Sequence, residues 1–324
     1  MRKAAVFFLC LMMFSLLSGC MSEDEKKLTK SGFMLDTIIS VTCYGTDEDT
    51  LNGAFDICEK YENMLSMTIS GSDVWNINHS GGKSVRVERE TAELIAMALE
   101  YCELSEGAFD ISIAPLSSLW DFSSGEAAVP DTDKINEALS KVDYTKVVVS
   151  GCDITLPDTM SIDLGAVAKG YIADRMADYF SELNIPAVIN LGGNVVTVGQ
   201  KPGGEKWKVG IRDPKSEDGG QIGLIETQGA SFVTSGVYER CFTLDGVLYH
   251  HLLSTQTGFP LNNTLASVTV ISGSSAQGDA LSTTLYLMGF EDARNYVNSC
   301  DDIEAVFVLN DGSVVCTGDI ELKK

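Results

Sequence analysis

A carboxylate and a hydroxyl four residues apart are the first groups whose types and spacing could do chemistry. Asp279 and Thr283 fall on one face of a predicted helix, with Ser282 beside them. Hard oxygen ligands of this kind suit Mg²⁺, which takes few protein ligands and completes its shell with water and substrate phosphates. The same residue types allow a structural interpretation, in which Asp279 caps the start of a helix over 279–288. Both interpretations stay open on these residues alone.

A second segment, residues 162–171, places a carboxylate and a lysine around the start of another predicted helix. Asp163 stands just before small residues that a ligand can approach closely, and Ala166 and Lys169 share a helix face. The spacing of its glycines superficially resembles a phosphate loop. The lysine precedes the second glycine, however, and a tyrosine replaces the required Ser or Thr, so we reject a P-loop.

Two further segments allow both a structural and a functional interpretation. Beyond a predicted helix end at Gly107, Asp110 lies among large aromatic residues, and by itself this pattern favours a structural loop over a site. Gly192 and Gly193 follow an apolar strand, where paired glycines let backbone N–H groups converge on an anion. An ordinary β-turn explains the same pair equally well.

Two adjacent histidines, His250 and His251, are two of the three in the chain. Neighbouring residues on a strand point to opposite faces, so we expect one ring to face a cleft and the other the core or solvent. Ser235 lies in no Gly-x-Ser-x-Gly motif, and we do not interpret it as a hydrolase nucleophile. The chain also lacks Gly-x-Gly-x-x-Gly, which disfavours a Rossmann dinucleotide site.

The elements that must position these groups mix helices and strands, without a long linker or an internal repeat. Apolar residues recur every three and four positions in the predicted helices, and β-branched residues alternate in the predicted strand. We therefore expect a single α+β domain of mixed sheets with packed helices. The predicted helices cover residues 51–65, 91–105, 133–142, 166–183 and 279–288, the strand covers 38–44, and turns fall at Gly151, Asp245-Gly246 and Asn310-Asp311-Gly312.

Composition and charge exclude several classes of protein. A chain of 324 residues that is 44% hydrophobic can bury a large core, which excludes a disordered chain. Its 46 acidic and 23 basic residues give a net charge of −23, and such a surface repels polyanions, so we expect no nucleic-acid partner. Nine cysteines less Cys10 and Cys20 leave seven, with no Cys-x-x-Cys pair, which indicates neither a disulfide framework nor a zinc site.

The N-terminal stretch, residues 1–19, is typical of a secretory signal peptide. Two basic residues precede an apolar run from Ala4 to Leu17 that is too short to span a bilayer. The run leads into Leu-Ser-Gly-Cys, which resembles the bacterial lipobox, where the thiol of Cys20 takes a diacylglyceryl group with acyl chains such as palmitate. An uncleaved membrane anchor is the alternative.

The lipobox resemblance sets the expected domain organisation. Residues 20–31 comprise the lipidated cysteine and a charged, solvated tether, and residues 32–324 form the folded domain. Two acyl chains hold a protein firmly to a membrane. We therefore expect a lipid-anchored protein on the extracytoplasmic face of a bacterial cell membrane.

Taken in this order, the segments resemble the ApbE family of FAD:protein FMN transferases over nearly the whole chain after the signal peptide. The resemblance implies that FMN moves from FAD to a Ser or Thr hydroxyl of a target protein, with Mg²⁺ required and AMP leaving. It implies FAD and an envelope acceptor protein with a Ser/Thr-Gly-Ala-Ser/Thr motif as partners. The matching segments are residues 107–120, 163–171, 190–194, 234–240, 251–260 (His-x-x-x-x-x-Thr-Gly-x-Pro) and 279–283.

The resemblance also implies roles for individual residues. His251 is the best candidate to take the proton from the target hydroxyl, because a histidine pKa can lie near working pH. Only the metal and Lys169 are expected near the pyrophosphate to neutralise its charge. The implied FAD contacts are Met34, Ala108, Phe109, Asp110, Asp163, Lys169 and Ala266. The implied metal contacts are the Ala166 carbonyl, Asp279, Thr283 and Ser282.

Two positions depart from the family pattern. Ser254 and Thr255 stand where relatives usually carry Asp-Pro, so a carboxylate that could orient the imidazole is missing. Thr68 stands where relatives often offer an aromatic ring to the flavin, and a more open site would let water compete with a protein hydroxyl. Two alternatives therefore stay open: an Mg-dependent FAD pyrophosphatase that forms FMN and AMP, and a lipid-anchored flavin-binding module without turnover.

Overall fold

The computed structural model describes residues 26–120, 122, 127–216 and 218–324. The strands are β1 (Lys27–Met34), β2 (Thr37–Tyr44), β3 (Val85–Arg86), β4 (Val148–Ser150), β5 (Asp153–Thr155), β6 (Ala187–Leu191), β7 (Asn194–Val198), β8 (Trp207–Arg212), β9 (Gln221–Thr227), β10 (Ser231–Gly236), β11 (Cys241–Leu244), β12 (Val247–His250), β13 (Leu265–Ser272), β14 (Glu304–Leu309) and β15 (Val314–Cys316). The α-helices are α1 (Glu48–Leu65), α2 (Asp73–Asn78), α3 (Arg89–Leu104), α4 (Ala114–Trp120), α5 (Thr132–Leu139), α6 (Gly165–Glu182), α7 (Ser275–Met288) and α8 (Phe290–Asn298).

An eight-stranded sheet, in the order β1-β2-β6-β7-β10-β13-β14-β15, forms the frame of the fold. Each neighbouring pair in it runs antiparallel. Alternate residues of β2, such as Ile39 and Val41, are fully buried and pack with Cys58 of α1 and Ile172 of α6 in one cluster. Helix α7 packs against both α6 and the strands β10 and β13. The expected α+β architecture is confirmed.

Close contact between α6 and α7 depends on one glycine. A Cβ added at Gly170 would overlap the carbonyl oxygen of Ser275 and lie 2.7 Å from the Cβ of Asp279. Any larger residue would push the two helices apart, because packed interiors leave no room for an extra methyl group. Gly170 therefore decides how near the side chains of α7 come to the start of α6.

Most helices and turns predicted from the sequence are confirmed, with ends that differ by a few residues. The predicted start of the helix at Asp279 is wrong, because α7 already begins at Ser275. The side chains of Ser274 and Asp174 accept the first backbone N–H groups of α7. Asp279 lies inside the helix, so its interpretation as a cap is also wrong.

The predicted tether overlaps the first strand. β1 begins at Lys27, and residues 27–31 pair with β2, so the expected domain boundary at residue 32 falls too late. The exposed face of this hairpin carries hydroxyl pairs such as Thr29–Thr42. Because these side chains are polar, the sequence of β1 lacks the apolar pattern that predicts a strand. The predicted signal peptide and Cys20 lie outside the described residues. Within residues 26–324, apart from the few positions not described, no helix is long and apolar enough to cross a membrane.

Candidate active site

A pocket with a volume of about 340 Å³ collects most of the residues singled out from the sequence. Its walls come from the loop after α3, the start of α6, the end of β10, the segment after β12, and one face of α7. Among the predicted site residues, those on its wall are Ala108, Phe109, Asp110, Asp163, Ala166, Lys169, His251, Asp279 and Thr283. Segments far apart in the chain therefore meet at one cavity.

The loop that carries Asp110 is held by its own carboxylate. Asp110 accepts hydrogen bonds from the backbone N–H and the hydroxyl of Ser112, both at 2.7 Å, and from the N–H of Tyr144 at 3.0 Å. Burial raises the pKa of this carboxyl group, and the same hydrogen bonds oppose that rise. The structural interpretation and the site interpretation are compatible, because the loop also forms part of the pocket wall.

The start of α6 is joined to that loop. The N–H of Asp163 donates to the carbonyl of Ile111 at 2.8 Å, and the Asp163 carboxylate accepts from the N–H of Gly165 at 2.8 Å. Lys169 lies one turn further along the helix, on the pocket side. Gly165 and Ala166, the small residues that were predicted to let a ligand approach closely, also line the pocket.

Asp279 and Thr283 approach the start of α6 from α7. Asp279 is 4% exposed and accepts the N–H of Gly170 at 2.8 Å. In a regular helix that N–H points along the axis toward the carbonyl of Ala166, so the Asp279 carboxylate and this carbonyl oxygen lie near each other. Burial raises the pKa of Asp279, and the positive charge of Lys169 opposes the rise. The Thr283 hydroxyl lies 3.0 Å from that of Ser235.

This oxygen set fits a magnesium ion. A carboxylate, a hydroxyl and a main-chain carbonyl are hard ligands, and Mg²⁺ fills its other positions with water and phosphate oxygens. The described residues contain no cluster of three or more His, Cys, Asp or Glu side chains arranged for a metal ion. In the metal set predicted from the sequence, Asp279 is the one carboxylate, and the other ligands are neutral oxygens.

Three predicted site residues lie off the pocket wall. Ser282 is fully buried, and its hydroxyl bonds to that of Ser235 at 2.9 Å and donates to the carbonyl of Asp279 at 3.1 Å. It supports α7 against β10 rather than facing the cavity. Ala266 is buried in β13, and Met34 packs against the core at the end of β1. Their contacts with FAD stay predictions.

The two histidines face opposite ways, as expected for neighbours at a strand end. His251 lines the pocket, and its backbone N–H donates to the carbonyl of Arg240 at 3.0 Å. His250 is buried with its ring edge-on to Tyr286, at 6.0 Å between centroids, and burial lowers its pKa to about 4. The pocket-facing ring is therefore the one that can meet a ligand.

The pKa of His251 does not lie near working pH, contrary to the expectation from the sequence. Burial of the ring, followed by the positive charges of Arg240 and Lys169, lowers that pKa to about 3. The imidazole is neutral at pH 7, and its Nδ1 is buried without a partner among the described residues. A neutral ring can accept a proton, but two neighbouring cations oppose that step until an anion offsets them.

The sequence analysis placed residues 234–240 among the matching segments but gave no role to two charged residues of the pocket, Glu239 and Arg240. Arg240 adds a second cation, so the expectation that Lys169 is the only one nearby is wrong. Glu239 is open to the pocket but enclosed by protein, and this desolvation raises its pKa to about 7, with Asp279 adding to the rise and Lys169 opposing it. The signal available in the sequence was a pair of opposite charges, Glu239 and Arg240, shortly after the apolar strand β10.

The other residues weighed from the sequence have structural roles. Gly192 and Gly193 form the turn between β6 and β7, where Asn190 accepts the N–H of Gly193 at 2.9 Å. Ser254 accepts two backbone N–H groups of the following turn, each at 3.2 Å. Thr68 is exposed, and the neighbouring Met67 lines the pocket instead. The pocket wall therefore carries the thioether of Met67, next to the position where relatives often carry an aromatic ring.

Comparison with known proteins decides the family. A family model described as the ApbE family matches residues 35–307. The chain belongs to the ApbE family. Relatives named FAD:protein FMN transferase include one from Klebsiella pneumoniae (strain 342), 35% identical over 306 residues, which covers 93% of this chain and 95% of the relative. Another, from Treponema pallidum (strain Nichols), is 33% identical over 282 residues, or 82% of this chain and 78% of the relative.

Solved structures of the ApbE family share the fold. The crystal structure of the ApbE protein from Thermotoga maritima superposes with a TM-score of 0.82 at 30% identity, over 90% of this chain and 97% of that one. The flavin transferase ApbE from Vibrio cholerae superposes with a TM-score of 0.81 at 24% identity, over 90% of this chain and 97% of that one. Family membership makes this ApbE chain an enzyme of the transferase class.

Proposed function

We propose that this protein transfers the FMN moiety of FAD to a Ser or Thr hydroxyl of an acceptor protein and releases AMP. The observation that supports this most is the meeting, in one pocket, of two cations, a metal-compatible oxygen set and a neutral imidazole. For attack on a pyrophosphate, the two cations bind the phosphates, the oxygen set would hold Mg²⁺, and the imidazole accepts a proton. Relatives in the ApbE family are named FAD:protein FMN transferase, which supports the transfer of FMN to a protein.

Binding of the FAD pyrophosphate requires positive charge in a protein whose net charge is −23. Lys169 and Arg240 supply it from two different walls of the pocket. Neither makes an ion pair with a carboxylate within the described part of the chain. Their charge is thus available to the phosphate oxygens and, later, to the leaving AMP.

The proposal includes Mg²⁺, held by Asp279, Thr283 and the Ala166 carbonyl. When bound there, the ion supplies neutralisation of the charge that develops on the phosphate oxygens. The protein's own part is to orient the Asp279 carboxylate and to oppose the rise in its pKa that burial causes. The N–H of Gly170 does this through its 2.8 Å hydrogen bond to one carboxylate oxygen.

His251 accepts the proton of the acceptor hydroxyl. The hydroxyl oxygen forms a bond to the phosphorus of the FMN half, the bond from that phosphorus to the bridging oxygen breaks, and AMP leaves with that oxygen. Burial of the ring and the positive charges of Arg240 and Lys169 lower the pKa of His251, and bound pyrophosphate offsets those two charges. The same anion that is the substrate therefore makes the imidazole a better base.

One experiment separates this reaction from its alternatives. The purified protein is incubated with FAD, Mg²⁺ and a protein carrying a Ser/Thr-Gly-Ala-Ser/Thr segment, and both intact protein mass and free nucleotides are measured. An FMN-sized adduct with an equal amount of AMP supports transfer. FMN and AMP without an adduct would indicate a pyrophosphatase, and unchanged FAD would indicate a binding module.

We also propose that the protein is a lipoprotein anchored through Cys20 on the outer side of a bacterial cell membrane, where its acceptor is an envelope protein. The lipobox-like ending and the short apolar run support this location. Cys20→Ser should move the protein from the membrane fraction to the soluble fraction. A lipid-modified N-terminal peptide in that variant would contradict the anchor site.

A further inference from the structure

The β11–β12 hairpin, residues 241–250, is joined to the pocket at both ends. Arg240, which precedes it, and His251, which follows it, both line the pocket wall. The N–H of His251 donates to the carbonyl of Arg240 at 3.0 Å and closes the base of the hairpin. Asp245 and Gly246, with φ of 51° and 80°, make the tight turn at its tip.

The inner half of the hairpin is fixed by aromatic packing. Phe242 and Tyr249 face each other across the strands, with ring centroids 5.3 Å apart. Phe122 packs on Phe242 at 5.7 Å, and Trp120 packs on Tyr249 at 5.8 Å. Since Phe122 also lines the pocket, the hairpin stands on the pocket wall with a defined orientation.

The outer half of the hairpin exposes apolar side chains on both faces. Val247 is 50% exposed and Leu248 is 42% exposed, and adjacent strand residues point to opposite sides. The other exposed large apolar side chains of the described residues lie on segments that do not enter and leave the pocket wall. They are Phe33, Ile38, Val148, Leu183 and Val314.

We propose that the outer half of the β11–β12 hairpin is a docking surface for the acceptor protein. This inference rests on the proposed function and names where its second substrate binds. A cavity of about 340 Å³ holds part of a nucleotide but no protein, so the acceptor hydroxyl must enter at the mouth while the rest of the acceptor stays outside. The hairpin leaves the pocket wall at Arg240 and returns to it at His251. An acceptor held beside this wall would meet Val247 on one face of the hairpin and Leu248 on the other, next to the modified Ser or Thr.

The test uses a double variant, Val247→Asp with Leu248→Asp, in the full-length protein. The probe is a purified protein with a Ser/Thr-Gly-Ala-Ser/Thr segment that the wild-type enzyme flavinylates. We expect the KM for this protein to rise about tenfold or more, because two charges replace an apolar contact. The Kd for FAD, measured by flavin fluorescence, and the slow release of AMP without acceptor should stay within about twofold, since neither side chain lines the pocket.

Val148→Asp is the matched control, because Val148 is 54% exposed on the β4–β5 hairpin, away from the pocket wall. Its KM for the acceptor protein should equal that of the wild type. Leu248→Ser gives the same test with a smaller change if the double variant lowers the Tm.

Three outcomes overturn the inference. An unchanged KM in the double variant shows that the hairpin does not bind the acceptor. An unchanged KM together with a fall from dimer to monomer in light scattering shows that a second copy of this chain covers the hairpin. A wild-type enzyme that flavinylates no such protein overturns the proposed function itself, and the docking surface with it.

Discussion

Two cavities of similar volume, about 340 and 360 Å³, border the helix pair α6 and α7. The first is the candidate active site, with Lys169 of α6 and Asp279 of α7 on its wall. The second lies further along α6 and includes Asp174 and Arg175 of that helix and Ser274 at the start of α7. Volume therefore does not distinguish a candidate site from a surface depression in this molecule.

The use of the charged groups does distinguish the two cavities. In the second, Asp174 accepts the hydroxyl of Ser274 at 2.8 Å and the N–H of Ser275 at 2.7 Å, and Arg175 pairs with Asp178 at 3.0 Å. In the first, Lys169, Glu239, Arg240 and Asp279 surround one space, and no ion pair among them is found in the described residues. Charges that a fold holds close together without pairing are available to a ligand.

An Asp→Asn substitution in each cavity should show the largest difference in activity between them. We expect Asp279→Asn to lower the rate of FMN transfer by about a thousandfold or more, because the only carboxylate of the predicted metal set is lost. The amide oxygen can still accept the N–H of Gly170, so the fold should persist. The rate is measured by adduct formation over a range of Mg²⁺ concentrations. Asp174→Asn is the control, and wild-type activity of Asp279→Asn at limiting Mg²⁺ would contradict the metal assignment.

The adjacent histidines offer a second comparison within one dipeptide. We expect His251→Ala to slow flavinylation by about 100- to 10,000-fold, the usual contribution of a positioned base, with the Kd for FAD nearly unchanged. Release of AMP to water should fall less, since a metal ion itself acidifies bound water. His250→Ala should change transfer little, because this ring packs on Tyr286 away from the pocket. Equal losses of transfer and hydrolysis in His251→Ala, or a larger loss of transfer in His250→Ala, would refute the role of His251 as the base.

In the second cavity, loss of the carboxylate should affect stability and not chemistry. Asp174→Ala leaves the first N–H groups of α7 without their acceptor and should lower the free energy of unfolding by about 1–2 kcal/mol. For a protein of 324 residues the Tm should fall by about 1–2 °C per kcal/mol. Calorimetry measures the shift, and kcat measured well below the Tm should match the wild type. A large loss of kcat with an unchanged Tm would erase the distinction between the cavities.

The smallest of these effects should come from titration of Glu239, which should make the affinity for FAD depend on pH. Its pKa is raised to about 7, so the carboxyl group is largely neutral at pH 6 and ionised at pH 8. The ionised form repels the pyrophosphate, so the affinity for FAD without Mg²⁺ should fall about threefold over this range. Glu239→Gln carries no charge at either pH and should show a flat profile in a fluorescence titration. Parallel profiles for variant and wild type would exclude Glu239 as the cause.

Local sequence patterns determined the elements of this protein and the segments that carry its site. Apolar spacing predicted α1, α3 and α5 to within a few residues, and the Asp245-Gly246 pair predicted the tip of the β11–β12 hairpin. These features depend on residues close together in the chain, where propensity and turn chemistry act directly. The motif order also determined the family, which the family model confirms.

Only the tertiary structure decided how those segments act on one another. It brought Asp279 inside α7 and against Gly170, which lies 109 positions earlier in the chain, and it added Arg240 and Glu239 to the pocket. It also lowered the pKa of His251 to about 3, because burial and two cations from other segments surround that ring. Distances, burial and electric fields are sums over residues far apart in the chain, so no local pattern of residue types contains them.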